Sequence, residues 1–136
     1  QLWTLREVTY DGAHIQLKAA KLDPKPIQSP HIPLIIGGYS PAAMQRTARF
    51  GQGWLGFGTN PEQTATAVAG VKAALDAAGR SRDGFEIIVM PADANADTVK
   101  EFQDIGVDRL GTMMLANDSD GVKARIDQLA ALADAV

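Results

Sequence analysis

Beyond Pro33 the chain alternates short apolar runs with stretches of helical spacing. That alternation restricts it to an α/β architecture built on parallel strands. The first unit is Pro33-Leu34-Ile35-Ile36, followed by Gly37-Gly38 and a helix that Ser40-Pro41 opens and Gly51 closes after Phe50. Serine suits the N-cap because its hydroxyl accepts from an orphan backbone N–H, and proline suits a first helical position that needs no N–H. Met44 and Ala48, one turn apart, fall on the buried side. The second unit joins a strand from Gly53 to Phe57 to a helix opened by Asn60-Pro61, with Gln63 completing a capping box. Val68, Val71, Leu75 and Ala78 make one helix face, and Gly79 ends it. The third unit runs from Phe85 to Met90, stops at Pro91, and continues in a short helix that Asp97 caps. That helix carries Val99 and Phe102 on one side and ends at Gly106. The fourth unit is a strand from Val107 to Leu115 and a last helix opened by Asp118 or Ser119, with Val122, Ile126, Leu129 and Ala133 on its face. The strand starts lie roughly 20 to 30 residues apart, which suits βα units and is too irregular for a solenoid.

The segment before Pro33 has a different character. Glu7-Val8-Thr9-Tyr10, Asp11-Gly12 and His14 to Leu17 read as a β-hairpin with an Asp-Gly turn. Leu22 to Pro33 holds Pro24, Pro26, Pro30 and Pro33 and reads as an extended connector. The organisation expected is therefore one domain over 1–136. Residues 1–32 form hairpin and connector, and residues 33–136 form four βα units.

Composition narrows the function classes. With 46% apolar and 21% charged residues the chain is globular, not disordered. No apolar run approaches the ~20 residues of a membrane helix. There is no cysteine, which removes disulfides and thiolate metal sites and points to a reducing cytoplasm. The 13 basic residues are scattered against 16 acidic ones, so nucleic acid is a poor partner. The chain opens at Gln1 without a basic head or an apolar leader. At 136 residues with no initial Met, it is expected to be a fragment of a longer protein.

The residues with the most chemical content lie between Pro33 and Asn60. Gly37-Gly38 falls where a strand end turns toward a helix N-terminus. Glycine there lets backbone approach a ligand, and the free N–H groups and helix dipole from Ser40 to Ala43 favour an anion such as phosphate. Taken alone, Gly-Gly more often does no more than make a tight βα turn. The spacing of a Gly-x-Gly-x-x-Gly fingerprint and of a Gly-Lys-Ser/Thr loop is absent, which disfavours an independent nucleotide-binding module.

The wider pattern, Pro-hydrophobic-Ile-Gly-Gly-x-Ser-x-x-Ala-x-x-Arg-x-Ala-Arg-x-Gly-x-Gly-Trp, resembles the luciferase-like flavin and deazaflavin oxidoreductases. Its nearest branch is that of probable coenzyme F-420-dependent enzymes. Leu2-Trp3-Thr4, Val8 to Gly12, Pro24 to Gln28, Pro30 to Pro33 and Gly106 to Leu110 extend the resemblance over nearly the whole chain. The resemblance implies the C-terminal half of a (β/α)8 barrel, four parallel βα units preceded by an inserted hairpin, with the site at the strand C-termini. It implies coenzyme F-420 or FMN as cofactor, with Gly37, Gly38, Ser40, Gly53 and Trp54 on its phosphate side and the Tyr39 backbone N–H as a further donor. It also implies hydride transfer or monooxygenation of a small organic substrate.

Two departures accompany it. Gln52 stands where the family usually has Asp, which weakens a phosphate role for that turn, and Thr47 stands where Ala is commoner. Leu55 to Asn60 carries no basic residue, which argues against a phosphorylated sugar substrate. A full barrel needs eight units and typically about 250 residues. The catalytic residues are therefore expected in an absent N-terminal half and are not named. The competing expectation is a non-catalytic half-barrel that only folds or assembles. A bare sheet face and two open edges predict a homodimer, or pairing with the missing half.

Other candidates read as structural. His14 and His31 lack a carboxylate at ligand spacing, so no metal site is expected. His31 sits between prolines as a connector residue. Glu86 is an outward carboxylate in an apolar strand, and Arg46 and Arg49 form a solvated face. Met113 and Met114 read as core near the last strand's end. Asp118 to Asp120 lack calcium-loop spacing. Trp54 either packs beneath the cofactor or fills the barrel wall.

Overall fold

The computed structural model describes residues 1–92 and 94–134. These residues divide into two compact units, Gln1–Pro33 and Leu34 onward.

In the first unit, β1 (Val8–Asp11) pairs antiparallel with β2 (Gln16–Ala20), setting Tyr10 opposite Leu17 and Asp11 opposite Gln16, with a register shift between Val8 and Tyr10. The expected two-residue Asp-Gly turn does not form. A four-residue link over 12–15 closes instead, with the Gly12 N–H donating to the Ile15 carbonyl at 3.0 Å. Neither Asp11 nor Gly12 takes a positive φ, which a type I′ turn needs at both positions. A Cβ at Gly12 would lie 2.4 Å from the Tyr10 ring, so a larger residue there would push that half-exposed side chain aside. The Pro-rich connector contains no regular element.

In the second unit, four strands run parallel in sequence order: β3 (Ile35–Gly37), β4 (Gly53–Phe57), β5 (Glu86–Met90) and β6 (Arg109–Leu110). Four helices alternate with them: α1 (Pro41–Phe50), α2 (Pro61–Ala77), α3 (Ala96–Ile105) and α4 (Ser119–Asp134). The result is α/β, as the alternation predicts. The caps of the first two helices are those read from sequence. The Ser40 hydroxyl accepts from the Ala43 N–H at 3.2 Å, and Asn60 and Gln63 satisfy each other's backbone donors. Gly79, at φ +65°, follows the Ala78 cap.

The later units depart from expectation. Asn95, not Asp97, caps α3, in a reciprocal box with Thr98. Asp97 sits in the first turn, where its charge opposes the helix dipole. The last strand is two residues long, not 107–115. Asp108 and Gly111 each donate one further bond to β5, to the Ile87 and Val89 carbonyls. β5 then stops at Pro91, so Thr112 to Leu115 find no strand to pair with. Met113 and Met114 lie in this irregular stretch, exposed, instead of in the core.

The core sits between the sheet and the helices. Trp54, Ile87 and Val89 from the strands meet Val68, Val71 and Leu75 of α2 and Phe102 of α3, all essentially inaccessible. Ala78 lies beyond the helix end and is exposed. The last helix has no buried residue. Val122 and Leu129 are half-buried, and Ile126 and Ala133 are exposed. Among the described residues of this unit, no layer covers the opposite side of the sheet. In register across it stand Ile35, Gly53 and Glu86, then Leu55 and Ile88, then Phe57 and Met90. Ile35 is 39% exposed and Phe57 is 56% exposed. Glu86 is not simply solvated, because its carboxylate meets the Arg109 guanidinium at 2.6 Å on this face.

Candidate functional site

The C-terminal ends of β3, β4 and β5 form a lip, the edge on which α/β sheets bind ligands. At the end of β3 the backbone turns at Gly38, with φ +113°. A Cβ there would be strained and would lie 2.9 Å from the Ala43 Cβ, so glycine is strongly favoured on this path into α1. At Gly37 a Cβ would meet nothing closer than the Leu55 carbonyl at 3.6 Å. Ser40 spends its hydroxyl on the helix cap. The backbone N–H groups of Tyr39 and Ser40 take no partner among the described residues.

Two side chains fix this turn. The Trp54 indole Nε1–H donates to the Gly38 carbonyl at 3.0 Å. The Tyr39 hydroxyl accepts from the Phe57 N–H at 2.6 Å and donates to the Phe57 carbonyl at 2.9 Å. The Tyr39 and Trp54 rings meet edge-on, with centroids 5.7 Å apart. One residue on, the Gly58 N–H donates to the Met90 carbonyl at 2.8 Å, tying β4 to β5.

The structure thus brings together Gly37, Gly38, Tyr39, Ser40 and the Trp54 side chain. Gly53 is elsewhere. It begins β4, opposite Ile35, and a Cβ there would collide with the Ile35 side chain and the Glu86 carbonyl. The turn carrying Gln52 is at that same lower end. Its Oε1 accepts from the Leu34 N–H at 2.9 Å and its Nε2 donates to the Phe50 carbonyl at 3.3 Å. An amide supplies both an acceptor and a donor, which a carboxylate cannot. Trp54 is fully buried, and it reaches the lip through its N–H to Gly38 and its ring edge against Tyr39. The backbone of Phe57 is the partner that sequence reasoning missed, since nothing in a residue type announces a bond to its main chain.

The remaining candidates are accounted for locally. The His31 ring lies 5.7 Å from that of Trp3, and its Nδ1–H donates to the Ile32 carbonyl at 2.7 Å. Arg46 and Arg49 are exposed, and Arg49 lies over the Phe50 ring. Among the described residues no group of three or more His, Asp or Glu is placed to hold a metal ion, and no helix is long and apolar enough to cross a membrane.

A glycine turn with free amides at a helix N-terminus has the donor chemistry of a phosphate seat, and so fits the phosphate end of a flavin or deazaflavin. Comparison with known proteins agrees with the resemblance. The model of the luciferase-like monooxygenase family matches residues 1–125. Uncharacterized proteins of Mycobacterium bovis and Mycobacterium tuberculosis are 34% identical over 99 residues, 72% of this chain and 33% of theirs. The aligned region is thus about a third of the length of these relatives. Among solved structures, an F420-dependent secondary alcohol dehydrogenase in complex with an F420–acetone adduct superposes with a TM-score of 0.69 at 13% identity, covering 96% of this chain and 58% of that one. The coenzyme F420-dependent tetrahydromethanopterin reductase of Methanopyrus kandleri gives 0.50 at 25% identity, covering 61% and 24%. With a family match across most of its length and a four-stranded parallel sheet of the fold its neighbours share, this chain belongs to the luciferase-like monooxygenase family.

Proposed function

We propose that the chain forms the phosphate side of the cofactor site in an oxidoreductase that uses coenzyme F-420 or FMN. One observation carries the reading: the Gly38 turn, at a φ that strains any side-chain-bearing residue, sets the Tyr39 and Ser40 amides, unpaired among the described residues, on the lip at the N-terminus of α1. The bound cofactor would supply the redox chemistry, exchanging a hydride with a small organic substrate or, as reduced flavin, activating dioxygen for monooxygenation. This chain's residues would bind and orient. Gly37 and Gly38 would let the backbone come close, the Tyr39 and Ser40 amides would donate to phosphate oxygens, and the α1 dipole would favour the anion. Trp54 would hold the Gly38 carbonyl away from it. Two solved neighbours are named for F420, which favours the deazaflavin. The absence of cysteine suits a reducing compartment, and we place the reaction in the cytoplasm.

Fluorescence titration of the full-length protein with coenzyme F-420 and with FMN tests this. Saturable binding of one of them is expected, and binding of neither overturns the reading. Gly38→Asp should abolish affinity with an unchanged circular dichroism spectrum.

The open sheet face favours a second reading. Ile35, Leu55, Phe57, Ile88 and Met90 need a covering layer, and β3 and β6 each leave an edge unpaired. In this reading the chain is a non-catalytic half-barrel that pairs with a second copy or with four further βα units. Analytical ultracentrifugation should find a dimer or larger species. A clean monomer with cooperative melting refutes it.

A further inference from the structure

We propose that Tyr39 is a positioning residue for the Gly38 turn, clamping the β3–α1 loop to the end of β4 so that the loop holds its ligand-receiving shape before any ligand arrives. The inference rests on the reading of that loop as a cofactor phosphate seat, and it deepens that reading.

Tyr39 is 48% exposed, so its ring is not there to fill the core. Its hydroxyl instead takes both main-chain groups of one residue, accepting from the Phe57 N–H at 2.6 Å and donating to the Phe57 carbonyl at 2.9 Å. The residue before it, Gly38, is held by its carbonyl to Trp54, and Trp54 lies three residues before Phe57 on the same strand. The two contacts close a ring: Gly38 to Trp54, along β4 to Phe57, and back through the phenol to Tyr39. Edge-on packing of the two aromatic rings stiffens the middle of it. Gly58 carries the restraint on to Met90 of β5.

This arrangement has two consequences for binding. The ordering of a loop in an uncommon φ region is completed on folding, so it is not subtracted from ligand affinity. And because the phenol occupies the Phe57 N–H, that donor is withdrawn from the lip, while the Tyr39 and Ser40 amides keep no partner among the described residues. The β3–α1 loop then receives the anion without help from the β4 end.

Tyr39→Phe keeps the ring and removes the hydroxyl. Amide hydrogen exchange followed by NMR should speed up by about tenfold or more at Phe57, whose N–H loses its acceptor, the loss of one hydrogen bond's worth of protection. The melting temperature should shift by only a few degrees, and affinity for coenzyme F-420 should fall about tenfold, corresponding to about 1.4 kcal/mol. Unchanged exchange at Phe57 overturns the clamp. Binding of coenzyme F-420 by the wild type and by Tyr39→Phe with equal affinity overturns the positioning role while the cofactor reading stands. Failure of the wild type to bind either cofactor overturns both.

Discussion

The Asp108 carboxylate, just before β6, accepts from the Ile87 backbone N–H at 2.7 Å through the same oxygen, Oδ2, that meets the Arg82 guanidinium at 2.7 Å. Arg82 also donates to the Gly106 carbonyl at 2.6 Å. One side chain thus fastens the start of β6 to the start of β5, at the end of the sheet away from the lip. Both ionic partners are partly exposed, so solvent screens the charge pair and the Ile87 bond is the larger contribution.

Asp108→Ala should therefore destabilise the fold by about 1–3 kcal/mol, the cost of leaving a part-buried N–H unpaired. The loss, measured by urea denaturation, should change little between low and high salt. Asp108→Asn keeps a carbonyl oxygen for Ile87 and should recover most of it.

Thr47 is fully buried on α1, and its hydroxyl has no hydrogen-bond partner among the described residues. Thr47→Val keeps the shape and removes the polar atom. It should raise stability by about 1 kcal/mol in the same assay. The alanine commoner at this position avoids the polar atom too, at the cost of volume.

The Trp54 side chain serves both core and lip. Trp54→Phe should cost about 2–4 kcal/mol through lost volume and an unpaired Gly38 carbonyl. It should also speed amide exchange in the β3–α1 loop. Normal exchange there in a folded variant would show that the indole N–H does not hold the turn.

Ser40→Ala removes the cap of α1 and should cost about 1 kcal/mol. It leaves the Tyr39 and Ser40 backbone amides in place, so cofactor affinity should drop far less than in Gly38→Asp. Equal losses would assign the anion contact to the Ser40 hydroxyl.

Gly38→Ala adds a Cβ 2.9 Å from that of Ala43 at a φ of +113°. Strain of this kind costs about 1–3 kcal/mol. Thermal melting should show the loss, and Gly37→Ala, whose Cβ would make only an ordinary contact with the Leu55 carbonyl at 3.6 Å, should show much less.

The alternating runs after Pro33 were enough to read four βα units, because apolar period and capping chemistry are local. Ser40, Asn60-Gln63, Gly79 and Gly106 act within a turn of where they stand, and each is found in its predicted place. The family resemblance was legible for a related reason, since its glycine pattern marks backbone paths that few residues can follow. The misreadings involve competition or distance. Asn95 and Asp97 both suit a cap, and the choice depends on which one meets Thr98. The length of β6 depends on Pro91, some 20 residues earlier, which ends the strand that β6 would pair with. Gly53 and Trp54 are adjacent in sequence and look alike as site residues. Strand geometry leaves Gly53 at the lower end of β4 and sends only the Trp54 indole toward the lip. The contact between the Tyr39 phenol and the Phe57 main chain joins residues 18 positions apart, and no pattern of residue types encodes it. It exists because parallel pairing of β3 with β4 sets the two strand ends side by side, a relation that arises only when the sheet assembles.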